Sequence, residues 1–368
     1  MPSSPQFGEP GIIRSDTGEW RVLLYGCHTP SKQLRDLARK PFRTQAENFR
    51  SPVTEMPCRM GILGMPYQIT IQRPVEIEGV GLHTAVRSRL RLVPAPANTG
   101  IVFRRTDLEN FEVEAHVRNV ARVSYATSLL RQSVLISTTE HLLAALYCCG
   151  IDNVYVELDA LELPILDGSS KPFIDLLARA GTRRLRRLRR YIRVLKPLEF
   201  SDGDRRIGIY PADEFSVHCF VDYNHPAIGP QDIEVAVDRE TFSRELAPAR
   251  TFGFVKDFQQ LQEMGLIRGG SLANALVLDD TSVMNGPLRF PDEFGRHKAL
   301  DLIGDLALVG RPLQARIVAY RAGHALHTQL VTRLLDDRSL WTETTAGPGA
   351  PATSVDDSIA ATSSVEAD

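Results

Sequence analysis

Apolar residues alternate with polar ones along several short segments of the chain, which is the pattern of half-buried β-strands. Turn sequences such as PANTG and DGSS separate these segments. Longer runs with a helical period predict helices over 136–150, 171–181, 255–265 and 292–309. Because strands followed by helices occur twice along the chain, we predict an α+β protein of two similar domains, each a β-sheet layered with α-helices.

The length of the chain and a run of arginines suggest the domain boundaries. With 368 residues, the chain is too long for one average domain. Six arginines lie between residues 183 and 190 without interleaved aromatic residues, which is more typical of a solvated junction than of a nucleic-acid site. We therefore predict a first domain over 67–188 and a second over 189–335. Residues 1–66 are expected to form a poorly ordered extension, and 336–368 a disordered acidic tail.

Composition and charge exclude several classes of protein. A hydrophobic content of 43% and a charged content of 24% are ordinary for a globular protein, and a net charge of −2 gives no overall attraction to nucleic acid or membrane. No apolar stretch reaches the roughly 18 residues of a membrane-spanning helix. The five cysteines lack the spacing of a disulfide framework. We therefore expect reduced thiols, a cytoplasmic location, and a monomer that acts on a small molecule.

Candidate chemistry first appears in the predicted helix over 292–309. His297, Asp301 and Asp305 are four residues apart, slightly more than one helical turn, so their side chains share one face. Short ionisable residues mixed with apolar ones are more typical of a cleft wall than of a solvated surface. His297 and Asp301 offer an imidazole and a carboxylate, which are good zinc ligands, but two ligands do not make a site. A plain polar face remains an alternative.

A third ligand is available on the predicted helix over 136–150. Glu140 and His141 are its only strongly polar side chains, and they lie at its start. His141 would complete a set of two histidines and one aspartate with a fourth position open for water, the pattern of catalytic zinc. Glu140 is then well placed to take a proton from water. Two alternatives stay open, because Ser137 and Glu140 also fit a capping box and His141 fits a core histidine bonded to a backbone carbonyl.

Three other segments offer side chains suited to a hydrolytic zinc site. His324 follows a glycine at a predicted strand-to-loop corner, and Asp305 could keep it protonated because a nearby carboxylate raises an imidazole pKa. A surface histidine is the alternative. Thr251 offers a hydroxyl donor, and Phe252 an aromatic surface of the kind that packs against a sugar ring. His83 lies in GVGLHT, whose two glycines do not make a dinucleotide motif.

Together, these segments resemble one family, the UDP-3-O-acyl-N-acetylglucosamine deacetylases of lipid A synthesis. They occur in family order from residue 67 to about residue 335, and they include GVGLHT, STTEHLLAALYCCGIDNVYVELDALELPILDGSSKPF, ARTFGF, LRFPDEFGRHKALDLIGDL and AYRAGHAL. Three features depart from the family pattern. Residues 1–66 have no counterpart, the acidic tail is extra, and His327 stands where an asparagine is expected.

The resemblance implies two similar domains with the active site between them. It implies a zinc enzyme that removes the 2-N-acetyl group from UDP-3-O-acyl-N-acetylglucosamine, giving acetate and UDP-3-O-acyl-glucosamine. The implied zinc ligands are His141, His297 and Asp301. The implied catalytic residues are Glu140 as general base, His324 as general acid, Asp305 as its support, and Thr251 as a donor to the amide carbonyl.

The resemblance also implies contacts to the substrate. Lys298 and His83 would lie along its polar head group, Phe252 against the glucosamine, and Leu82 at the mouth of the acyl-chain passage. Two other functions stay open: a zinc amidohydrolase for a different N-acetyl sugar, and a metal-stabilised scaffold without catalysis. Since a scaffold needs neither a general base nor a general acid, the presence of candidates for both favours an enzyme.

Overall fold

The computed structural model describes residues 12–14, 20–22, 66–122, 125–345 and 347. The chain divides into two compact units, Met1–Pro57 and Cys58–Asp368. In the first unit, β1 (Ile12–Arg14) pairs antiparallel with β2 (Trp20–Val22). The rest of the expected poorly ordered extension, up to residue 65, lies outside the described residues.

The N-terminal half of the second unit is built on a five-stranded sheet. Its elements in chain order are β3 (Tyr67–Ile71), β4 (Val75–Val80), β5 (Arg87–Pro94), β6 (Ile101–Arg105), β7 (Phe111–Glu114), β8 (Val120–Arg122), β9 (Ser128–Arg131), β10 (Val134–Ile136), α1 (Glu140–Cys148), β11 (Val154–Leu158), α2 (Lys171–Ala180) and β12 (Thr182–Leu188). The sheet order is β4-β5-β11-β6-β7, and only β11 and β6 are parallel within it. β8, β9 and β10 form a three-stranded sheet, and β12 pairs with β3.

The C-terminal half is built on a seven-stranded sheet. Its elements are β13 (Tyr191–Val194), β14 (Leu198–Asp202), β15 (Arg205–Pro211), β16 (Ser216–Tyr223), β17 (Gly229–Ala236), α3 (Arg239–Thr241), β18 (Phe252–Phe254), α4 (Val255–Glu263), β19 (Leu276–Leu278), α5 (Glu293–Leu306), β20 (Leu313–Tyr320), α6 (His324–Asp336) and β21 (Trp341–Thr344). β20 is central and pairs with β13, β15 and β16. The predicted α+β class is therefore confirmed, with a sheet and helices in each half.

Strand β5 shows how the alternating pattern determines its two faces. Ser88, Leu90 and Leu92 are fully buried, whereas the three arginines that alternate with them point outward. Two of these, Arg87 and Arg89, pair with glutamates of the neighbouring strand β4. The inward residues therefore build the core, and cross-strand charge pairs cover the outer face.

Helix α1 is buried along its whole length and packs against α5. At the contact, a Cβ placed on Gly304 would lie 2.2 Å from the backbone oxygen of Glu140, so only glycine allows the two helices to approach this closely. The close approach brings the first turn of α1 against the polar stripe of α5. The two segments that carry the candidate metal ligands are thereby brought together.

Most of the arginine run lies in an edge strand, Thr182–Leu188, that pairs with β3 and exposes most of its side chains, and its role as a junction between domains stays a prediction. One expectation about chain organisation needs correction. The predicted tail begins too early, since Trp341–Thr344 is a strand on β13 and Trp341 is buried. The proposed boundary at residue 188 stays a prediction, because Cys58–Asp368 forms one compact unit.

Other expectations concern membranes and thiols. In the described part of the chain, no helix is both long and apolar enough to cross a bilayer. Cys148, Cys149 and Cys219 are buried free thiols, as expected for a chain without a disulfide framework. Cys27 and Cys58 lie outside the described residues.

Candidate active site and metal centre

Three buried side chains from α1 and α5 converge at the contact between these helices. His141 lies in the first turn of α1, and His297 and Asp301 lie one turn apart on α5. Asp301 Oδ1 is 3.3 Å from His297 Nε2 and 3.6 Å from His141 Nε2. The three ligand atoms lie within 4.8 Å of one another, so these residues could hold a metal ion.

The hydrogen bonds around these three residues fit a cation. Among the described residues, the buried Asp301 Oδ1 has no hydrogen-bond partner, while Oδ2 accepts a bond from Lys298 Nζ at 2.8 Å. His297 Nδ1 donates to the carbonyl of Ala249 at 3.0 Å, which leaves the Nε2 lone pair directed at Asp301. A buried carboxylate oxygen without a partner is costly, and a bound cation would remove that cost.

Burial also sets the protonation state of the candidate ligands. It lowers the pKa of His297 to about 4 despite the attraction of Asp301, so the ring is neutral at pH 7. Burial raises the pKa of Asp301, but the charge that His297 gains only at low pH and the Lys298 ammonium outweigh this effect and hold that pKa well below its usual range. A neutral imidazole and an ionised carboxylate are the forms that bind a metal.

Asp305 lies one turn after Asp301 and is the centre of a second cluster. Its Oδ1 accepts a bond from the Thr127 hydroxyl, and its Oδ2 accepts bonds from Nδ1 of His324 at 2.7 Å and of His327 at 2.8 Å. Burial lowers the pKa of His324, but the Asp305 charge and hydrogen bond outweigh it and raise the pKa to about 9. His324 is therefore protonated at neutral pH and can donate a proton. It is the first residue of α6, not part of the predicted strand-to-loop corner.

Glu140 is buried at the start of α1, close to both clusters. Its Oε2 accepts a bond from the Thr127 amide at 3.0 Å, and burial raises its pKa, which makes the carboxylate more basic. The capping-box alternative is wrong, because Thr139 is the N-cap residue and the Ser137 hydroxyl instead pairs with that of Ser128 at 2.9 Å. The Glu140 carboxylate remains available at the site.

Thr127 connects the candidate general base to the second cluster, and no sequence pattern indicates this role. Its amide holds Glu140, while its hydroxyl contacts Asp305 and lies 3.2 Å from His324 Nδ1. A threonine before a short strand is an unremarkable pattern. Only tertiary hydrogen bonds, to Glu140, Asp305 and Thr139, reveal the position of Thr127 at the site.

Lys298 and Phe252 flank the candidate metal ligands. The Phe252 ring lies 6.4 Å from the His297 ring, and Lys298 Nζ lies 5.6 Å from the Phe252 ring centroid. Thr251 precedes Phe252 and is half-buried, with its amide donating to Gly168 at 2.8 Å. The structure thus brings an aromatic face and an ammonium group beside the His–Asp cluster.

His83 and Leu82 lie in the loop between β4 and β5. Their carbonyls accept bonds from the amides of Arg268 at 3.1 Å and Gly269 at 3.0 Å, so this loop packs on the segment 267–270. The His83 amide donates to Glu162, which also accepts a bond from the Thr138 hydroxyl. The loop is therefore linked to the start of α1 through Glu162, a second residue that the sequence did not indicate.

Comparison with known proteins identifies related sequences. Residues 68–336 match the model of the family described as UDP-3-O-acyl N-acetylglycosamine deacetylase. A UDP-3-O-acyl-N-acetylglucosamine deacetylase of Solibacter usitatus (strain Ellin6076) is 54% identical over 278 residues, 75% of this chain and 94% of the relative. Proteins with the same name from Myxococcus xanthus (strain DK1622) and Anaeromyxobacter sp. (strain Fw109-5) are 45% and 47% identical, over 74% and 73% of this chain and 88% and 89% of their own lengths.

Proposed function

The chain belongs to the UDP-3-O-acyl N-acetylglycosamine deacetylase family, and we propose that it hydrolyses the 2-acetamido group of UDP-3-O-acyl-N-acetylglucosamine. The products would be acetate and UDP-3-O-acyl-glucosamine, at the committed step of lipid A biosynthesis in the cytoplasm. The observation that carries the proposal is the buried Asp301 Oδ1, which has no hydrogen-bond partner among the described residues and faces two imidazole nitrogens beside a buried glutamate.

We propose zinc as the metal, with His141, His297 and Asp301 as its ligands. Two imidazoles and one carboxylate are a common ligand set of catalytic zinc, and they leave a coordination position for water or substrate. When bound, zinc would polarise the amide carbonyl and make a coordinated water more acidic. The Ala249 carbonyl would orient His297 from behind, as partners of metal-bound histidines do.

Glu140 and His324 would carry the two proton transfers. Glu140 accepts a proton from the attacking water as the water oxygen bonds to the acetamide carbon. His324, protonated and held by Asp305, donates its proton to the sugar nitrogen as the carbon–nitrogen bond breaks and acetate leaves. The Thr251 hydroxyl would donate to the carbonyl oxygen, where negative charge develops.

Four residues are proposed to bind the substrate outside the reacting bond. Lys298 and His83 would contact its polar head group, Phe252 the face of the glucosamine, and Leu82 the beginning of the acyl chain. The positions of Lys298 and Phe252 beside His297 support the roles proposed for these two residues. The division into domains over 67–188 and 189–335 belongs to the same proposal, with the site where α1 meets α5.

The test combines metal analysis with deacetylation of acylated and non-acylated UDP-N-acetylglucosamine. We expect about one zinc per chain, a strong preference for the acylated substrate, and a rate loss of about 10²-fold or more in Glu140→Ala with zinc retained. The control is Glu157→Ala, which removes a carboxylate that pairs with Arg91 on β5. Equal rates on both substrates would favour another N-acetyl sugar, and full activity of Glu140→Ala would contradict the mechanism.

A further inference from the structure

Glu162 is a buried carboxylate with four hydrogen-bond donors around it. Its Oε1 accepts bonds from the His83 amide and the Thr138 hydroxyl, both at 2.9 Å. Its Oε2 accepts bonds from the amide and the hydroxyl of Thr84, at 2.8 and 2.7 Å. The residue is only 1% exposed. A buried carboxylate is stable only when its oxygens accept enough hydrogen bonds. The four donors therefore hold the carboxylate in place, and the carboxylate in turn holds the segments that carry the donors.

One side of Glu162 holds the loop that carries Leu82 and His83. A Cβ on Gly81 would lie 2.3 Å from Glu162 Oε2, so the backbone at Gly81 approaches the carboxylate more closely than any other residue type allows. Two successive amides, those of His83 and Thr84, point at the two oxygens. The turn of this loop is therefore formed around the Glu162 carboxylate.

The other side of Glu162 holds the residue that leads into α1. Thr138 lies two residues before Glu140 and has a φ of 60°, in the left-handed region that a threonine rarely adopts. Its hydroxyl donates to Glu162, and the neighbouring Ser137 exchanges backbone bonds with Leu161 and Leu163. Such a backbone conformation persists only where surrounding contacts determine it.

We infer that Glu162 is a positioning residue for substrate binding. It sets the loop of Leu82 and His83 at a fixed distance from Glu140 and His141, so that the substrate's head group and its acetamide are held at the same time. This inference rests on the proposed function. It assigns Glu162 no contact with the reacting atoms, since its effect passes through His83 and Thr138.

The test is steady-state kinetics of Glu162→Gln with the acylated substrate. Glutamine keeps the size of the side chain, but it replaces one acceptor oxygen by an NH2 group. That group cannot accept the two hydrogen bonds made to the oxygen, so the side chain loses its hold on one of the attached segments. We expect KM to rise by about tenfold or more while kcat changes by less than about threefold, because loss of binding contacts away from the reacting bond raises KM alone. Zinc content should equal that of the wild type.

A merely structural role gives a different result. Glu162→Gln would then lower kcat in proportion to the fraction of folded enzyme and leave KM unchanged, and that outcome would overturn the inference. Thr84→Val removes one donor from the loop side, and we expect a smaller rise in KM, of about threefold, which Thr84→Ser reverses by restoring the hydroxyl. Thr84→Val decides the question if Glu162→Gln does not fold.

Two controls separate this inference from the proposed function. Glu157→Gln removes a carboxylate from β11 whose ion pair, in the part of the chain that the structure describes, is with Arg91 across the sheet surface, and it should keep the wild-type KM. If the wild-type enzyme does not deacetylate the substrate, the proposed function fails. If the wild type is active and Glu162→Gln keeps its KM, only the positioning role fails.

Discussion

Two clusters of two histidines and one aspartate lie one helical turn apart along α5. The first contains His141, His297 and Asp301, and the second contains Asp305, His324 and His327. In both, the ligand atoms are close enough to hold a metal ion, and the residue types are the same. Residue types and the distances between ligand atoms therefore do not distinguish a metal centre from a cluster that binds or transfers a proton.

The hydrogen bonds separate the two clusters. In the first, both imidazoles direct Nε2 toward Asp301 Oδ1, which has no other partner in the described part of the chain. In the second, both imidazoles direct Nδ1 toward Asp305 Oδ2, and the Thr127 hydroxyl takes Oδ1. In the first cluster, His297 donates through Nδ1 to Ala249, so the lone pair of its Nε2 faces Asp301 Oδ1. In the second, the two Asp305 oxygens accept three hydrogen bonds. A cation therefore suits the first cluster and a bound proton the second.

The largest expected effect comes from Asp301→Asn, which removes a charged ligand from the first cluster. Loss of a residue that only supports a metal ligand lowers metal affinity by about 10- to 100-fold. Loss of a ligand itself should therefore lower zinc affinity by more than about 100-fold, and the rate at limiting zinc should fall by about 10³-fold. Metal content per chain and the deacetylation rate measure both. Asp305→Asn is the matched control one turn away and should keep its zinc. Zinc loss in Asp305→Asn, or full zinc in Asp301→Asn, would reverse the assignment of the clusters.

Asp305→Asn should instead change the pH dependence of the rate. With a pKa raised to about 9, His324 is protonated below that pH and loses its proton above it, so activity should fall as the pH rises through about 9. Without the Asp305 charge, the pKa of His324 should fall toward its ordinary value of about 6.5. The alkaline limb of kcat/KM would move down by about two units, and the rate at pH 8 would fall by about 10- to 100-fold.

Profiles of kcat/KM against pH, recorded for wild type and Asp305→Asn at constant zinc, measure this shift. The charged groups that act on His324 besides Asp305 are Asp301 and Glu140, and both are unchanged in the variant. An alkaline limb that stays in place would show that His324 is not the acid.

The sequence predicted the elements of the site better than its connections. The helical stripe of His297, Asp301 and Asp305 was visible because its spacing follows the helical period, and α5 spans Glu293–Leu306 as that pattern indicates. The roles assigned within the stripe stay predictions until they are measured. The periodicity places residues on a face, but it does not say which nitrogen of a histidine bonds to which oxygen.

The residues that sequence reasoning missed act through long-range contacts. Thr127 reaches Asp305 across 178 positions of the chain, and Glu162 reaches His83 across 79. Neither position carries a local pattern, since a threonine before a strand and a glutamate in a loop are ordinary. Ser137 shows the opposite case, a local pattern without the structure it predicts. Its spacing to Glu140 fits a capping box, but its hydroxyl pairs with that of Ser128 and Glu140 accepts a bond from the Thr127 amide.

The smallest expected effect comes from His327, the residue at which this chain departs from the expected asparagine. Burial lowers the pKa of His327, so it is neutral at pH 7 and donates its Nδ1 hydrogen to Asp305. His327→Leu removes this donor and leaves more of the Asp305 charge to His324. The pKa of His324 should therefore rise by a few tenths of a unit, with kcat/KM at pH 7 changed by less than about threefold.

His327→Asn can still donate to Asp305 and is the matched control, with a pH profile expected to coincide with that of the wild type. The Leu variant and Asp305→Asn should thus move the alkaline limb in opposite directions, up and down, although they alter the same hydrogen bond from its two ends. A downward shift in His327→Leu would mean that His327 itself carries the proton. Opposite shifts with zinc retained in both variants would establish that the second cluster controls a proton through the Asp305 charge.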